Sequence, residues 1–257
     1  MPFATNPEDG VRLHYAVEGR TGPVLVMQYG FMGYIDAWYE AGYVDALARD
    51  MRLILFDPRG MEQSDRPHEP DSYASAKMAG DVLALLDAVG VETGHFYGYS
   101  RGGRVGYELA LNHGGRIESV IVGAMHPYRR DPAQFTEQIE MFQMGWERSI
   151  PFHEQRNGPL DPGDREQLLR NDSQALAASS IAARDDPGFD EALGEIRTPM
   201  MIFAGDRDES FYGGSRAAAN AIPGARFVCL EGIDHGESFH RSDLVAPLIH
   251  DWLFQTG

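Results

Sequence analysis

Apolar residues fall along this chain in two periods. Val11-Arg12-Leu13-His14-Tyr15-Ala16-Val17 alternates apolar and polar positions, as a half-exposed strand does. Pro23-Val24-Leu25-Val26-Met27 and Arg52-Leu53-Ile54-Leu55-Phe56 are near-continuous apolar runs, the mark of strands covered on both faces. Gly19-Arg20-Thr21-Gly22-Pro23 separates the first two runs and predicts an antiparallel hairpin. Trp38, Tyr39, Val44 and Leu47 fit one face of a helix. Met78, Val82, Leu85, Leu86 and Val89 fit another, which Gly90 closes. A run at His95-Phe96-Tyr97, a helical stretch from Arg104 to Leu111 and a strand at Ile117–Gly123 follow. This alternation predicts an α/β fold, a mainly parallel sheet with helices on both faces.

The pattern changes between residues 125 and 196. No strand period is present there, and Pro127, Pro132, Pro151, Pro159, Pro162 and Pro187 punctuate a helical and loop-like composition. The sheet resumes at Thr198-Pro199-Met200-Met201-Ile202-Phe203-Ala204 and Ala225–Leu230. A final helix begins at Ser242 or Asp243 and carries Leu244, Val245, Leu248, Ile249, Trp252 and Leu253. Residues 1–124 and 197–257 therefore form the expected core domain, and 125–196 the expected inserted helical cap. Within that insertion Met141, Phe142, Met144 and Trp146 make an apolar cluster. Two readings stand: core packing between helices, or the lining of a substrate pocket.

Composition narrows the partners. The chain of 257 residues has 39 acidic and 22 basic side chains, a formal charge of −17. Phosphate binding needs a basic patch, so nucleic acid is not an expected partner, and anionic membrane surfaces are disfavoured too. No stretch approaches the ~20 continuous apolar residues of a membrane span, and the opening residues lack a basic region followed by an apolar core. A cytoplasmic protein is the expectation. Cys229 lies in an apolar run, which predicts a buried structural thiol.

The candidate chemistry begins at Gly98-Tyr99-Ser100-Arg101-Gly102-Gly103, between a predicted strand and a predicted helix. Glycines two residues either side of a serine allow a turn too tight for side chains, which presents the hydroxyl above the sheet edge. The helix that follows aims its free N–H groups at charge developing beside Ser100. A serine hydroxyl needs a base, and the base needs an orienting acid. Two later strand ends supply candidates: Gly205-Asp206-Arg207-Asp208 after one, Ile233-Asp234-His235-Gly236 after the other. In a parallel sheet these turns share the carboxyl edge, where ligands bind. Of the nine histidines, His235 alone combines a strand-end position, a flanking glycine and a place after the acid. Asp206 and Asp208 remain competitors on this reading.

Taken with Gln28-Tyr29-Gly30-Phe31-Met32-Gly33 and Asp57-Pro58-Arg59-Gly60, these motifs resemble those of the α/β-hydrolase superfamily from the first strand to the last helix. The resemblance implies Ser100 as nucleophile, His235 as base, Asp208 as acid, and the backbone N–H groups of Phe31 and Arg101 as oxyanion hole. It implies hydrolysis of a small, fairly apolar carboxylic ester or lactone through an acyl-enzyme, with neither cofactor nor metal. Other superfamily chemistries are the alternatives: carbon–carbon bond cleavage, peracid formation, or ligand sensing with slow turnover. Two departures stand out. Tyr29 occupies a position that is commonly histidine, which implies altered loop packing, and Met61-Glu62-Gln63-Ser64 replaces a small, glycine-bearing continuation.

Overall fold

In the computed structural model, which describes residues 2–256, a single sheet of eight strands carries the whole chain. The strands are β1 (Phe3–Thr5), β2 (Arg12–Glu18), β3 (Val24–Gln28), β4 (Arg52–Phe56), β5 (Gly94–Tyr99), β6 (Ile117–Gly123), β7 (Met200–Gly205) and β8 (Arg226–Leu230), in the order β1-β2-β4-β3-β5-β6-β7-β8. From β4 to β8 every pairing is parallel; β1 and β2 run antiparallel at one end. Alternate side chains of the central strands enter cores on opposite faces. Val26, Ile54, Phe96 and Val120 lie in one; Leu25, Leu53, Tyr97 and Ile121 lie in the other.

The expected hairpin between β2 and β3 does not form, because β4 lies between them. Gly19 and Gly22 carry the connection over the residues that precede β4. A Cβ on Gly19 would stand 2.0 Å from Met51 O, and one on Gly22 1.9 Å from Asp50 O. The hairpin that does form pairs β1 with β2, with Phe3 opposite His14. The expected single helix over Trp38–Leu47 is two short ones, Asp36–Glu40 and Tyr43–Leu47, broken at Gly42 with φ +82°. Cys229 is exposed rather than buried, since β8 is the outer strand of the sheet and packing covers it only in part.

Between β6 and β7 the chain forms helices Thr136–Gln143, Trp146–Asn157, Pro162–Arg170 and Ser173–Asp185, with 3-10 turns at Pro132–Phe135 and Asp190–Glu195. Ser173–Asp185 packs against Thr136–Gln143 on one side and against the 3-10 turn Pro70–Tyr73 on the other. This brings the helical segment over the carboxyl edge of the sheet. Among the described residues no helix is long and apolar enough to cross a membrane.

Register aligns the strand ends at that edge. Gln28 pairs with Gly98, Tyr99 with Gly123, Gly123 with Phe203, and Gly205 with Leu230. The loops after β3, β5, β7 and β8 therefore leave from one level. Behind the loop after β4 lies a buried ionic network. Arg59, with no side-chain exposure, donates to Asp81 Oδ1 at 2.6 Å, to Asp81 Oδ2 at 2.7 Å and to Asp9 Oδ2 at 2.7 Å. Asn6 Nδ2 donates to Asp81 Oδ1 at 2.8 Å, so one carboxylate ties the amino-terminal segment, this loop and the helix Ser75–Ala88 together.

Removing one partner of such a pair leaves a buried charge uncompensated. Asp81→Ala should lower unfolding stability by about 3–5 kcal/mol in urea titration, whereas Glu166→Ala, in the exposed pair with Arg170, should leave the urea midpoint in place.

Candidate active site

The turn between β5 and the helix Arg101–Asn112 is held by contact on both sides. A Cβ on Gly98 would stand 2.2 Å from Gly102 O, and one on Gly102 would stand 2.3 Å from Gln28 O. No side chain fits either gap. Ser100 between them takes φ +51° and ψ −119°, a region that costs a non-glycine residue roughly 1–3 kcal/mol. Two hydrogen bonds hold it there: Ser100 N–H donates to Gly123 O and Gly103 N–H to Ser100 O, each at 2.8 Å.

Ser100 Oγ lies 3.1 Å from His235 Nε2, and His235 Nδ1 lies 2.7 Å from Asp208 Oδ2. Asp208 is buried, and its second oxygen accepts the Phe211 N–H at 3.1 Å. Asp206 points elsewhere. Its Oδ1 accepts the Gly232 N–H at 2.7 Å and closes the loop after β8. The structure thus brings Ser100, His235 and Asp208 together and leaves Asp206 in the turn.

His235 has far to reach, since β8 lies three strand spacings from β5, roughly 14 Å. A helix that was not expected from the sequence, His235–His240, covers that distance. It starts with a capping box in which Asp234 Oδ1 accepts the Glu237 N–H and Glu237 Oε2 accepts the Asp234 N–H, at 2.9 and 3.0 Å. Asp234-His235-Gly236-Glu237 carries the capping-box spacing, so this signal was present in the sequence. Phe239 anchors the helix in the core, stacked on Tyr29 at 3.9 Å and edge-on to Trp38 at 5.1 Å. Tyr99, beside the candidate nucleophile, donates its hydroxyl hydrogen to the His235 carbonyl and lies 2.8 Å from Ser238 Oγ.

The loop after β3 closes over Ser100. Gly33 N–H donates to Gly30 O at 3.1 Å, and Met32 takes φ +58°. Gly30 approaches so closely that a Cβ there would stand 3.0 Å from Ser100 Cβ. The backbone N–H groups of Phe31 and Arg101 have no acceptor among the described residues. Tyr29 lies in an aromatic cluster with Trp38, Tyr99 and Phe239, so stacking supports this loop. The departure at Met61–Ser64 also acquires a role. Ser64 Oγ donates to Asp57 O at 2.6 Å and accepts the His14 N–H at 2.9 Å, while Met61 packs with Phe142 and Leu176. Asp57 in turn accepts the Ile35 N–H at 2.9 Å and lies 2.7 Å from His14 Nδ1. Burial pushes its carboxyl above the usual range against the opposing pull of these bonds.

A cavity of about 460 Å³ opens from Ser100 beneath the helical segment. Tyr73, Met78, Met125, Phe135, Ala182 and Phe189 give it apolar walls. Met141, Phe142 and Trp146 are not among its lining residues. They belong to the cluster of Met61, Leu176 and Ala177, with the Phe142 ring 5.8 Å from that of Phe31 and 5.6 Å from that of Trp146. Trp146 Nε1 also donates to Asn171 O at 2.7 Å. Three arginines also line the cavity: Arg101, next to Ser100 in the sequence, and Arg104 and Arg130, which sequence reasoning missed as side chains of the site. Burial, with repulsion from the other two, pushes the Arg101 guanidinium down to about 10. Their signal in the sequence was weak, because Arg130 lies in an irregular stretch whose position no periodicity fixes.

Among the described residues no group of three or more His, Cys, Asp or Glu side chains could hold a metal ion. A protein of Stutzerimonas stutzeri with the provisional name carbamate hydrolase RutD is 27% identical, over 94% of this chain and 96% of its own length. A hydrolase from Pseudomonas aeruginosa superimposes with TM-score 0.84 at 28% identity, covering 98% of this chain and 97% of that one. The enol-lactonase from Burkholderia xenovorans superimposes with TM-score 0.82 at 24% identity, over 98% and 100% of the two chains. The family model of the alpha/beta hydrolase fold matches residues 23–184. With its parallel sheet, its serine turn and that match over more than half its length, the chain belongs to the α/β-hydrolase fold family.

Proposed function

We propose that this protein is a serine hydrolase that cleaves a small, fairly apolar carboxylic ester or lactone through an acyl-enzyme. The observation that carries this reading is the unbroken line from Ser100 Oγ to His235 Nε2 and from His235 Nδ1 to Asp208, at 3.1 and 2.7 Å, beside a cavity with part of its wall apolar. The similar hydrolases, at 27 and 28% identity, support hydrolytic chemistry.

Ser100 Oγ attacks the substrate carbonyl while His235 Nε2 takes its proton. Negative charge gathers on the carbonyl oxygen, where the Phe31 and Arg101 N–H groups receive it. Collapse of this intermediate breaks the bond to the alkoxy oxygen, which leaves with the proton from His235. The acyl group stays on Ser100. Water then gives a proton to His235 and its hydroxide to the acyl carbon, and the acid departs as Ser100 Oγ recovers the proton. Asp208 holds Nδ1–H throughout and stabilises the imidazolium. The side chain of His235 is 38% exposed, which leaves water a path to the acyl-enzyme.

A fluorophosphonate should label Ser100 and no other serine, and Ser100→Ala should abolish the label while circular dichroism stays unchanged. An adduct on Ser75, which also lines the cavity, would assign the nucleophile there instead. Asp208→Asn should favour the wrong imidazole tautomer and slow turnover by roughly 10⁴-fold. Asp206→Asn should mainly lower the melting temperature, because its contact closes a loop. Both are measured with one ester at neutral pH; the reverse ranking would move the orienting role to Asp206. Trp146→Ala should leave the order of preference among acyl chain lengths as it is and lower stability, because the indole packs on Phe142 and lies outside the cavity lining. A broadened chain-length profile would place Trp146 in the substrate path.

A further inference from the structure

Three arginines line the cavity, and among the described residues the carboxylates that share the lining pair with only one of them. Arg104 is paired: its guanidinium binds both oxygens of Asp186, with Nε at 3.0 Å from Oδ2, and donates to the carbonyls of His126 and Tyr128 at 3.2 Å. Arg101 and Arg130 are not. Neither has a carboxylate within 4.0 Å among the described residues. Arg101 donates to Ser179 O at 2.6 Å, one use among the five N–H donors of a guanidinium. Arg130 reaches only Gln134 Oε1, at 3.4 Å.

Both stand beside the candidate catalytic groups. Arg101 follows Ser100 directly, and its guanidinium is 5.8 Å from the Phe31 ring centroid. Arg130 lies over Phe135 at 4.6 Å and over Phe211 at 5.4 Å, and the Phe211 ring is 4.9 Å from that of His235. Burial lowers both guanidinium groups and repulsion from Arg104 adds to it, while attraction to Tyr73 and to the carboxylate of Asp186 opposes the effect at Arg101. A buried cation without a counter-ion is costly. Four carboxylates share the lining, Asp71, Glu108, Asp185 and Asp186, and none of them is within ion-pair distance of Arg101 or Arg130; Asp186 is the partner of Arg104, and Asp185 accepts from Arg184 Nε at 2.8 Å. Asp71 is exposed, and Glu108, about 12 Å along the helix from Ser100, accepts from Asn112 Nδ2 at 2.7 Å.

We infer that Arg101 and Arg130 bind an anionic group of the substrate, so that the ester or lactone carries a free carboxylate on its acyl side. The inference rests on the acyl-cleaving reading of Ser100. It narrows the substrate class from neutral esters to half-esters of dicarboxylic acids and their lactone equivalents. The apolar walls take the methylene spacer, and the two guanidinium groups fix the far end, which sets the length between carboxylate and reacting carbonyl.

The test compares 4-nitrophenyl hydrogen adipate with 4-nitrophenyl methyl adipate, which differ by one methyl group and one charge. The intact protein should show kcat/KM about tenfold or more in favour of the free acid, the scale of hydrogen bonds to a charged group. Arg130→Gln should bring the ratio towards one, and Arg130→Lys should restore part of it. Gln134→Glu offers a second route that keeps Arg130 and its packing. It sets a carboxylate beside the guanidinium and should likewise erase the preference. Equal rates for the two esters in the intact protein, preference for the methyl ester, or a ratio indifferent to both Arg130→Gln and Gln134→Glu would overturn the proposal. Calorimetric titration of Ser100→Ala with the same two esters separates binding from turnover. Tighter binding of the free acid that depends on Arg130, in a protein that cleaves neither ester, would retain the anion site and remove the hydrolase reading. Equal binding of the two esters there removes the anion site whatever the turnover.

Discussion

The space between β5 and the helix that follows it is the constraint on which the site depends. Gly102 lies so close to the Gln28 carbonyl that the end of β3 and the start of the helix move as one body. That contact fixes three things together: the strained backbone of Ser100, the direction of the helix N-terminus, and the height of the Gly30–Gly33 turn above both. An N–H pair can stabilise an oxyanion only if it is in position before charge develops. Here the rigidity comes from backbone packed against backbone, the least compressible contact in the protein. It needs no additional side chain.

Strain is distributed in the same way. Among the described residues, the non-glycine positions with positive φ are Met32, Glu62, Ser100 and Ala124. Each follows a different strand, β3, β4, β5 and β6, and each lies at the carboxyl edge. The other edge of the sheet holds none. Such conformations persist only where surrounding packing over-determines them. The two cores supply that packing, since the side chains of the central strands are almost wholly buried on both faces. The Arg59–Asp81 network and the Asp57 bonds secure the loop after β4.

Much of this was legible from the chain. Continuous apolar runs marked β3, β4 and β7 because a strand covered on both faces has no polar side to show. Ser100, His235 and the pair Asp206 and Asp208 could be singled out because a parallel sheet sends every such turn to one edge, whatever the details of packing. Strand neighbours were less legible. Nothing local to Gly19–Pro23 says that β4, about thirty residues later, will occupy the place of a hairpin partner. Side chains that meet only through the helical segment were hidden for the same reason. Trp146 and Phe142 read equally well as core or lining, because their contacts with each other and with Met61 and Leu176 arise only through the fold. The choice between Asp206 and Asp208 rested on which one the turn consumes, and the Gly232 N–H consumes Asp206.

Tyr29 shows how a changed residue can keep a loop's geometry while altering what the loop is coupled to. An imidazole there would secure its surroundings through directional hydrogen bonds. The phenol ring instead stacks face-on against Phe239, the residue that anchors the helix bearing His235. Trp38 and Tyr99 pack around the same pair, and Tyr99 donates to the His235 carbonyl. The turn over Ser100 and the helix that carries His235 therefore share one aromatic cluster. Stacking is less directional than hydrogen bonding, but its energy scales with the area in contact. The cluster resists displacement of either element without fixing any one torsion. His235 and the turn over Ser100 are thus positioned relative to each other through the core, independently of the helical segment above them. Residues of that segment can then vary the shape and charge of the cavity while the distances from Ser100 to His235 and Asp208 stay as they are.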